Sequence, residues 1–257
     1  MALNERITDW RGRRVWLVGA SSGIGAALAG RLSAQGARLA LSARSADKLA
    51  DLASGLSGAV SVPLDVTSPG ALASGREAVL EALGGIDLAI FNAGTYRPLR
   101  SWELDAAVAR ETVAVNLLGV MDGLAVVLPS MVGAGRGGVA IVGSVAGYGG
   151  LPKAVTYGPS KAALINLAEV LYLDLAPRGL SVWLIDPGFV DTPLTAGNDF
   201  EMPALISADE AAAQIMKGFA SGGFEIHFPK RFTRVMKLLR LLPHRLYFPL
   251  IRKVTGL

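Results

Sequence analysis

A chain of 257 residues that is 51% apolar and 18% charged can bury a large core and is too apolar for intrinsic disorder. It has no cysteine and only two histidines, His227 and His244, which excludes disulfides and cysteine-based metal or redox chemistry and argues against a multi-histidine metal cluster. The net charge of +4 is uneven: eight basic and no acidic residues follow Pro229, against seventeen basic and twenty-one acidic residues before it, so the basic character is local and not a protein-wide nucleic-acid surface.

The charged amino terminus, residues 1–14, lacks the apolar core of a secretory signal. Apolar runs at 15–18, 39–41, 60–64, 88–91, 139–142, 182–185 and 224–228, most of them continuous, predict strands of a parallel sheet covered on both faces. Helical periodicity fills the intervals at 24–35, 47–56, 71–83, 103–131, 154–175 and 209–219. The longest apolar stretch, 113–132, is interrupted by Asn116, Asp122 and Pro129 and therefore predicts a buried helix, not a membrane span; a cytoplasmic protein is expected. Strand–helix alternation implies right-handed crossovers and a doubly wound, mostly parallel, seven-stranded α/β sheet with helices on both faces. No linker or internal repeat divides the chain, so residues 1–229 are expected to form one domain with residues 230–257 as its basic extension.

The first strand runs into Gly19, Ser21, Ser22, Gly23, Ile24 and Gly25, spaced G-x-x-x-G-x-G, and a helix follows at once. Glycines permit a tight turn and close backbone approach, and the helix amino terminus offers free N–H groups to a pyrophosphate. Such glycines also serve plain turns, but their place between an amino-terminal strand and a helix favours a dinucleotide site. Residues 18–25 resemble the cofactor fingerprint of the short-chain dehydrogenases/reductases, with Val18 where that family usually has threonine. The resemblance implies a Rossmann-type fold, a nicotinamide dinucleotide and oxidoreduction at alcohols or carbonyls. At the end of the second strand, the acidic residue that would bind a ribose 2′-hydroxyl is replaced by Ala43, and Arg44 follows it. A guanidinium suits a 2′-phosphate, so NADPH is expected ahead of NADH; the rival for Arg44 is a solvated helix start.

Asp65, followed by Val66, resembles the family residue that meets the adenine amino group, with a helix cap as its rival reading. Asn92, Ala93 and Gly94 match the family's N-N-A-G motif, Phe91 replacing its first asparagine, and this implies a segment under the cofactor where Phe91 alters packing more than chemistry. Pro187, Gly188, Val190 and Thr192 lie in a stretch that resembles P-G-x-x-x-T, whose backbone and threonine contact the nicotinamide carboxamide.

Tyr157 and Lys161, spaced i and i+4, share one helix face. A phenol titrates near ~10, and a neighbouring ammonium is expected to lower that value, which would make Tyr157 a usable general acid in reduction and general base in oxidation. Pro159 lies between them and is tolerable only in a first helical turn. Alone, the spacing would more often mean a surface pair. Ser144 and Asn116 stand where the family has its other two catalytic positions. The resemblance implies that Ser144 hydrogen-bonds the substrate oxygen, that Lys161 binds the nicotinamide ribose, and that Asn116 holds a water in a proton relay. A structural Asn116 is the rival, because a buried amide requires partners. The motifs run in family order from about residue 12 to 229.

The segment 189–206 carries only Asp191, Asp199 and Glu201 as ionisable residues. This favours a small to medium hydrophobic ketone or secondary alcohol over a phosphorylated sugar, although packing on a neighbouring helix explains the same composition. Beyond it, Lys230, Arg234 and Lys237 fall near one helix face and Phe232, Val235, Leu239 and Leu242 near the other, until Pro243. Such a helix can contact an anionic membrane peripherally, or pack on a second subunit or over the active-site mouth. Packing is favoured, since family members form homodimers and homotetramers. No nucleic-acid module is recognisable. Two further readings are a regulator that binds NADPH without turnover and a membrane-surface scaffold; the filled catalytic positions speak against the first.

Overall fold

The apolar runs pair into one parallel sheet in the computed structural model, which describes residues 2–255. In chain order β1 (Arg14–Val18), α1 (Gly23–Ala34), β2 (Arg38–Ser42), α2 (Ala46–Ser54), β3 (Ala59–Ser61), α3 (Ala71–Leu83) and β4 (Leu88–Phe91) form the first half. The second half contains α4 (Ala106–Val113), α5 (Gly119–Ala134), β5 (Gly138–Val142), α6 (Tyr157–Leu175), β6 (Ser181–Pro187), the two-residue strands β7 (Val190–Asp191) and β8 (Ile206–Ser207), α7 (Ala208–Ser221) and β9 (Glu225–Phe228). The strand order is β3-β2-β1-β4-β5-β6-β9, every neighbouring pair being parallel. The winding reverses between β1 and β4, which opens a crevice at the carboxyl ends of the strands.

Successive strand side chains point to opposite faces, so two cores flank the sheet. Trp16, Phe91 and Leu184 belong to one, and Leu17, Ile90 and Ile185 to the other. Phe91 fits its core because α5 presents bare backbone: a Cβ on Gly123 would come within 2.2 Å of the ring.

The single helix expected over 103–131 is instead a chain of elements. A short turn at Ser101–Glu103 precedes α4, whose amino terminus Asp105 caps by accepting from the Ala107 and Val108 amides at 2.8 and 2.9 Å. A π-helical segment, Ala114–Leu118, then joins α4 to α5, and Asn116 lies within it. The continuous helical stretch Ala106–Ala134 is long and apolar enough to cross a membrane, yet Val115, Val120, Leu124 and Val127 on its inner side belong to the sheet core.

Two features had no counterpart in the sequence reading. β7 and β8 pair with each other and bracket the apolar segment 189–206. Beyond α8 (Lys230–Arg240), a further helix, α9 (His244–Val254), follows Pro243. The faces of α8 are also rotated from expectation, for Lys237 turns towards Glu225 while Val235 is exposed.

Candidate active site

A cleft of about 420 Å³ runs across the carboxyl ends of the strands. The turn after β1 forms its floor. Gly19 has φ +92°, and a Cβ there would lie 2.4 Å from the Ala93 nitrogen, so two backbone loops touch at a place where only glycine fits. Gly23, at φ +54°, meets the Thr192 methyl in the same way, at 2.9 Å. Gly19, Ser21, Ser22, Gly23 and Ile24 line the cleft. Gly25 does not: its α-carbon packs on the Gly19 carbonyl, where a Cβ would come within 2.1 Å, and so it holds the turn shut from behind. Ser22 begins α1 without a side-chain cap, which leaves that helix's first N–H groups uncapped at the turn. Bare glycine backbone beside an uncapped helix start is a donor set that fits a pyrophosphate.

At one end the cleft is bordered by Ala43, Arg44, Asp65 and Val66. Arg44 is exposed and makes no ion pair among the described residues. Asp65 accepts from the Thr67 amide at 2.9 Å and its hydroxyl at 2.8 Å, and these bonds, with the Arg44 charge, hold its carboxyl below the usual range. It caps a turn and lines the cleft at once, so its two rival readings are not exclusive.

Asn92, Ala93 and Gly94 cross the middle, and Pro187, Gly188, Val190 and Thr192 close the far side. The Asn92 amide donates to the Gly19 carbonyl at 2.6 Å, tying these loops together. Ser144, Tyr157 and Lys161 line the same end of the cleft. Ser144 follows β5 directly, and its hydroxyl accepts from the Ala146 amide at 3.1 Å. Tyr157 opens α6, which places Pro159 in the first turn, where its missing N–H costs little. The Lys161 ammonium donates to the Val142 carbonyl at 2.8 Å and stands 5.5 Å from the centre of the Tyr157 ring.

The electrostatics differ from the simple expectation for this pair. Burial pushes the Tyr157 phenol up to about 12, outweighing the Ser144 hydroxyl, which pulls it down. Burial likewise pushes the Lys161 ammonium down to about 8, opposed by the charge of Asp186. Desolvation thus dominates both groups and keeps the phenol protonated across the neutral range.

Asn116 is fully buried and does not line the cleft. Its Oδ1 accepts from the Thr95 amide at 2.7 Å, and its Nδ2 donates to the Thr95 carbonyl at 3.0 Å and to the Ser160 hydroxyl at 3.1 Å. It joins the loop after β4 to the first turn of α6.

Several neighbours escaped the sequence reading. Tyr96 lies 4.9 Å from Tyr157 between ring centres; its place just beyond Asn92-Ala93-Gly94 was the available signal. Leu194 and Thr195 also line the cleft. Next to the reactive end is a buried charged cluster. Asp186, at the end of β6, is fully buried with neither carboxylate oxygen hydrogen-bonded, and stands beside Tyr148 and Glu225. Burial, then the charge of Glu225, raise its carboxyl far above the usual range. Glu225 accepts from the Tyr148 hydroxyl at 2.5 Å and pairs with Lys237 of α8. These partners hold Glu225 ionised despite its burial.

The sequence signature described as short chain dehydrogenase matches residues 13–202. An uncharacterised oxidoreductase of Myxococcus xanthus is 34% identical over 94% of this chain and 97% of its own length. A cis-4-hydroxycyclohexanecarboxylate dehydrogenase of Sinomonas cyclohexanicum is 34% identical over 77% of this chain and 80% of its own. Among solved structures, a Burkholderia phymatum short chain dehydrogenase/reductase in complex with NAD superposes with a TM-score of 0.83 at 25% identity, covering 90% of this chain and 94% of that one. A Sphingobium yanoikuyae short-chain dehydrogenase in complex with NADPH gives 0.78 at 27% identity, covering 90% and 97%. With its parallel seven-stranded sheet and its glycine turn facing the cleft, the chain belongs to the short-chain dehydrogenase/reductase family of oxidoreductases.

Proposed function

We propose that this oxidoreductase uses NADP(H) and interconverts a small to medium hydrophobic carbonyl compound with its secondary alcohol. The observation that carries the reading is the convergence of Ser144, Tyr157 and Lys161 at one end of a cleft whose other end is bordered by Arg44. The nicotinamide, when bound, would supply the hydride chemistry needed at the carbonyl carbon. Gly19 to Ile24 would hold the pyrophosphate, Asp65 and Val66 the adenine, and Asn92 to Gly94 the underside. Pro187, Gly188, Val190 and Thr192 would orient the carboxamide. Ser144 donates to the substrate oxygen, and Tyr157 delivers or removes the proton there. Lys161 holds the ribose hydroxyls and presents positive charge beside the phenol. Asn116 keeps Thr95 and Ser160 in place around that pair.

The fold accommodates either dinucleotide, for its solved relatives hold NAD in one case and NADPH in another. The choice of NADPH rests on Ala43 and Arg44. Replacing Arg44 with alanine is expected to weaken NADP⁺ binding by about 10- to 100-fold, the worth of a charge-assisted hydrogen bond, while NAD⁺ binding changes less than about threefold. Titration calorimetry with both nucleotides reads the difference; equal losses would remove Arg44 as the phosphate reader.

The substrate class rests on the segment 189–206. Phe189 meets Phe200 and Phe232 at 5.8 and 5.6 Å between ring centres, and Leu194 reaches the cleft. An apolar wall of this kind suits an alicyclic or similar secondary alcohol, the kind of substrate the Sinomonas relative's name describes. Exposed apolar side chains on the π-helical segment, α5 and α6, among them Leu118, Met121, Val170 and Leu173, support a homodimer or homotetramer. Initial rates over a panel of ketones and secondary alcohols with each nucleotide test the reading. Turnover with NADPH on ring ketones is expected; tight NADPH binding with no hydride transfer to any member would favour a cofactor-sensing regulator.

A further inference from the structure

We infer that the outward side of the α8–α9 segment docks on an anionic lipid bilayer. The inner side of this segment is already taken. Thr233, Met236, Tyr247 and Ile251 are buried, and Lys237 pairs with Glu225. The Phe232 ring covers Gly188, where a Cβ would come within 2.9 Å of it, and the Tyr247 hydroxyl donates to the Gly150 carbonyl at 2.9 Å. The two helices are thereby fastened to the loops that follow β5 and β6, the two loops that carry Ser144 and Gly188.

The outward side is of a different character. Lys230, Arg231, Arg234, Arg240, Arg245, Arg252 and Lys253 are exposed, and none of the seven makes an ion pair among the described residues. No acidic residue occurs in the sequence from Lys230 onward. Between these cations stand exposed apolar side chains: Leu238 at 64%, Leu241 at 79% and Val254 at 70% exposure, together with Val235, Leu246 and Phe248. In a two-fold dimer built on this face, seven uncompensated cations would stand against seven more. A protein interface gathers its apolar groups into a core inside a polar rim, whereas here cations and apolar groups alternate along both helices. A bilayer interface satisfies both at once, with anionic headgroups for the cations and the acyl boundary for the leucines. The docking stands apart from the substrate reading, but it would set loops of the catalytic cleft close to the lipid surface.

Flotation of the full-length protein with vesicles tests the inference without reference to activity. With phosphatidylcholine alone, little protein should float; with about one third phosphatidylglycerol, most should, and added salt should release it. Replacing Leu238 and Leu241 together by glutamate should lower partitioning at least tenfold. Arg231→Gln with Arg234→Gln should lower it about 25-fold, each cation near the surface multiplying binding roughly fivefold. These four side chains are exposed, so thermal unfolding and ketone reduction in lipid-free buffer should match the wild type. Equal flotation of wild type and both double variants, equal binding to neutral and anionic vesicles, or a lipid-free dimer abolished by the leucine substitutions would each overturn the inference.

Discussion

Replacing Tyr157 with phenylalanine is expected to reduce kcat by about 10³-fold, within the range of 10² to 10⁴ that a positioned proton donor contributes. The substitution removes one oxygen and little else. The half-buried ring stays against Tyr96, and Lys161 keeps its bond to the Val142 carbonyl. Nucleotide affinity should therefore change by no more than about tenfold, since a single neutral hydrogen bond is all that could be lost on that side. Stopped-flow hydride transfer measured beside nucleotide titration separates the two. Turnover at the wild-type rate would end the assignment of Tyr157 as the proton donor. The direction of the phenol's shift adds a signature. Because burial keeps Tyr157 protonated up to about 12, reduction should be flat across neutral pH, and alcohol oxidation, which requires the deprotonated oxygen, should climb into the alkaline range.

That sign was the point at which sequence misled. The spacing of Tyr157 and Lys161 announces a pair on one helix face, and a pair considered alone lets the ammonium lower the phenol. Burial enters only when β5, the loop after β4 and α6 close around both side chains, and it shifts each group towards its neutral form. What was local in the chain was legible. The glycine turn announced itself between a strand and a helix, the apolar runs gave the strands, and Pro159 fell in the first turn of α6 as its chemistry required. What depends on distant pairing was not. Tyr148, Asp186, Glu225 and Lys237 carry no common motif; they meet because β9 pairs with β6 in a register that sets His227 beside Asp186 and because α8 folds back over that edge. α9 was hidden for a simpler reason. Pro249 inside an eleven-residue segment reads as a helix breaker, yet the helix runs through it. β7 and β8 are two residues each, too short to show any periodicity.

Asp186→Asn should make the protein more stable above neutral pH, and this second large effect follows from the cluster that sequence did not show. Burial, then the charge of Glu225, push the Asp186 carboxyl up to about 8, whereas in the unfolded chain it titrates near ~4. Between those values the folded chain keeps a proton that the unfolded chain has released. The contribution of Asp186 is therefore complete below about pH 4 and declines as pH rises to about 8. Asparagine has the same shape and no charge to acquire, so the variant escapes the decline. At about 1.4 kcal/mol per pH unit the full difference would approach about 6 kcal/mol; the nearby Lys237 charge and local relaxation lower it, and about 2–3 kcal/mol is expected. The neighbours do not mimic this trend. Glu225 is held below its usual value and acts in the acid range, and burial likewise lowers His227. Burial pushes the Lys161 ammonium down to about 8, and a lowered ammonium adds stability as pH rises, the opposite sense to Asp186. Urea unfolding at about pH 5 and about pH 9 measures the effect, and parallel stability profiles for the two proteins would show that Asp186 is ionised in the folded state at neutral pH. In that case the carboxylate must find a compensating partner, and the nearest cations are Lys161 and Lys237, one in the catalytic pair and one on α8.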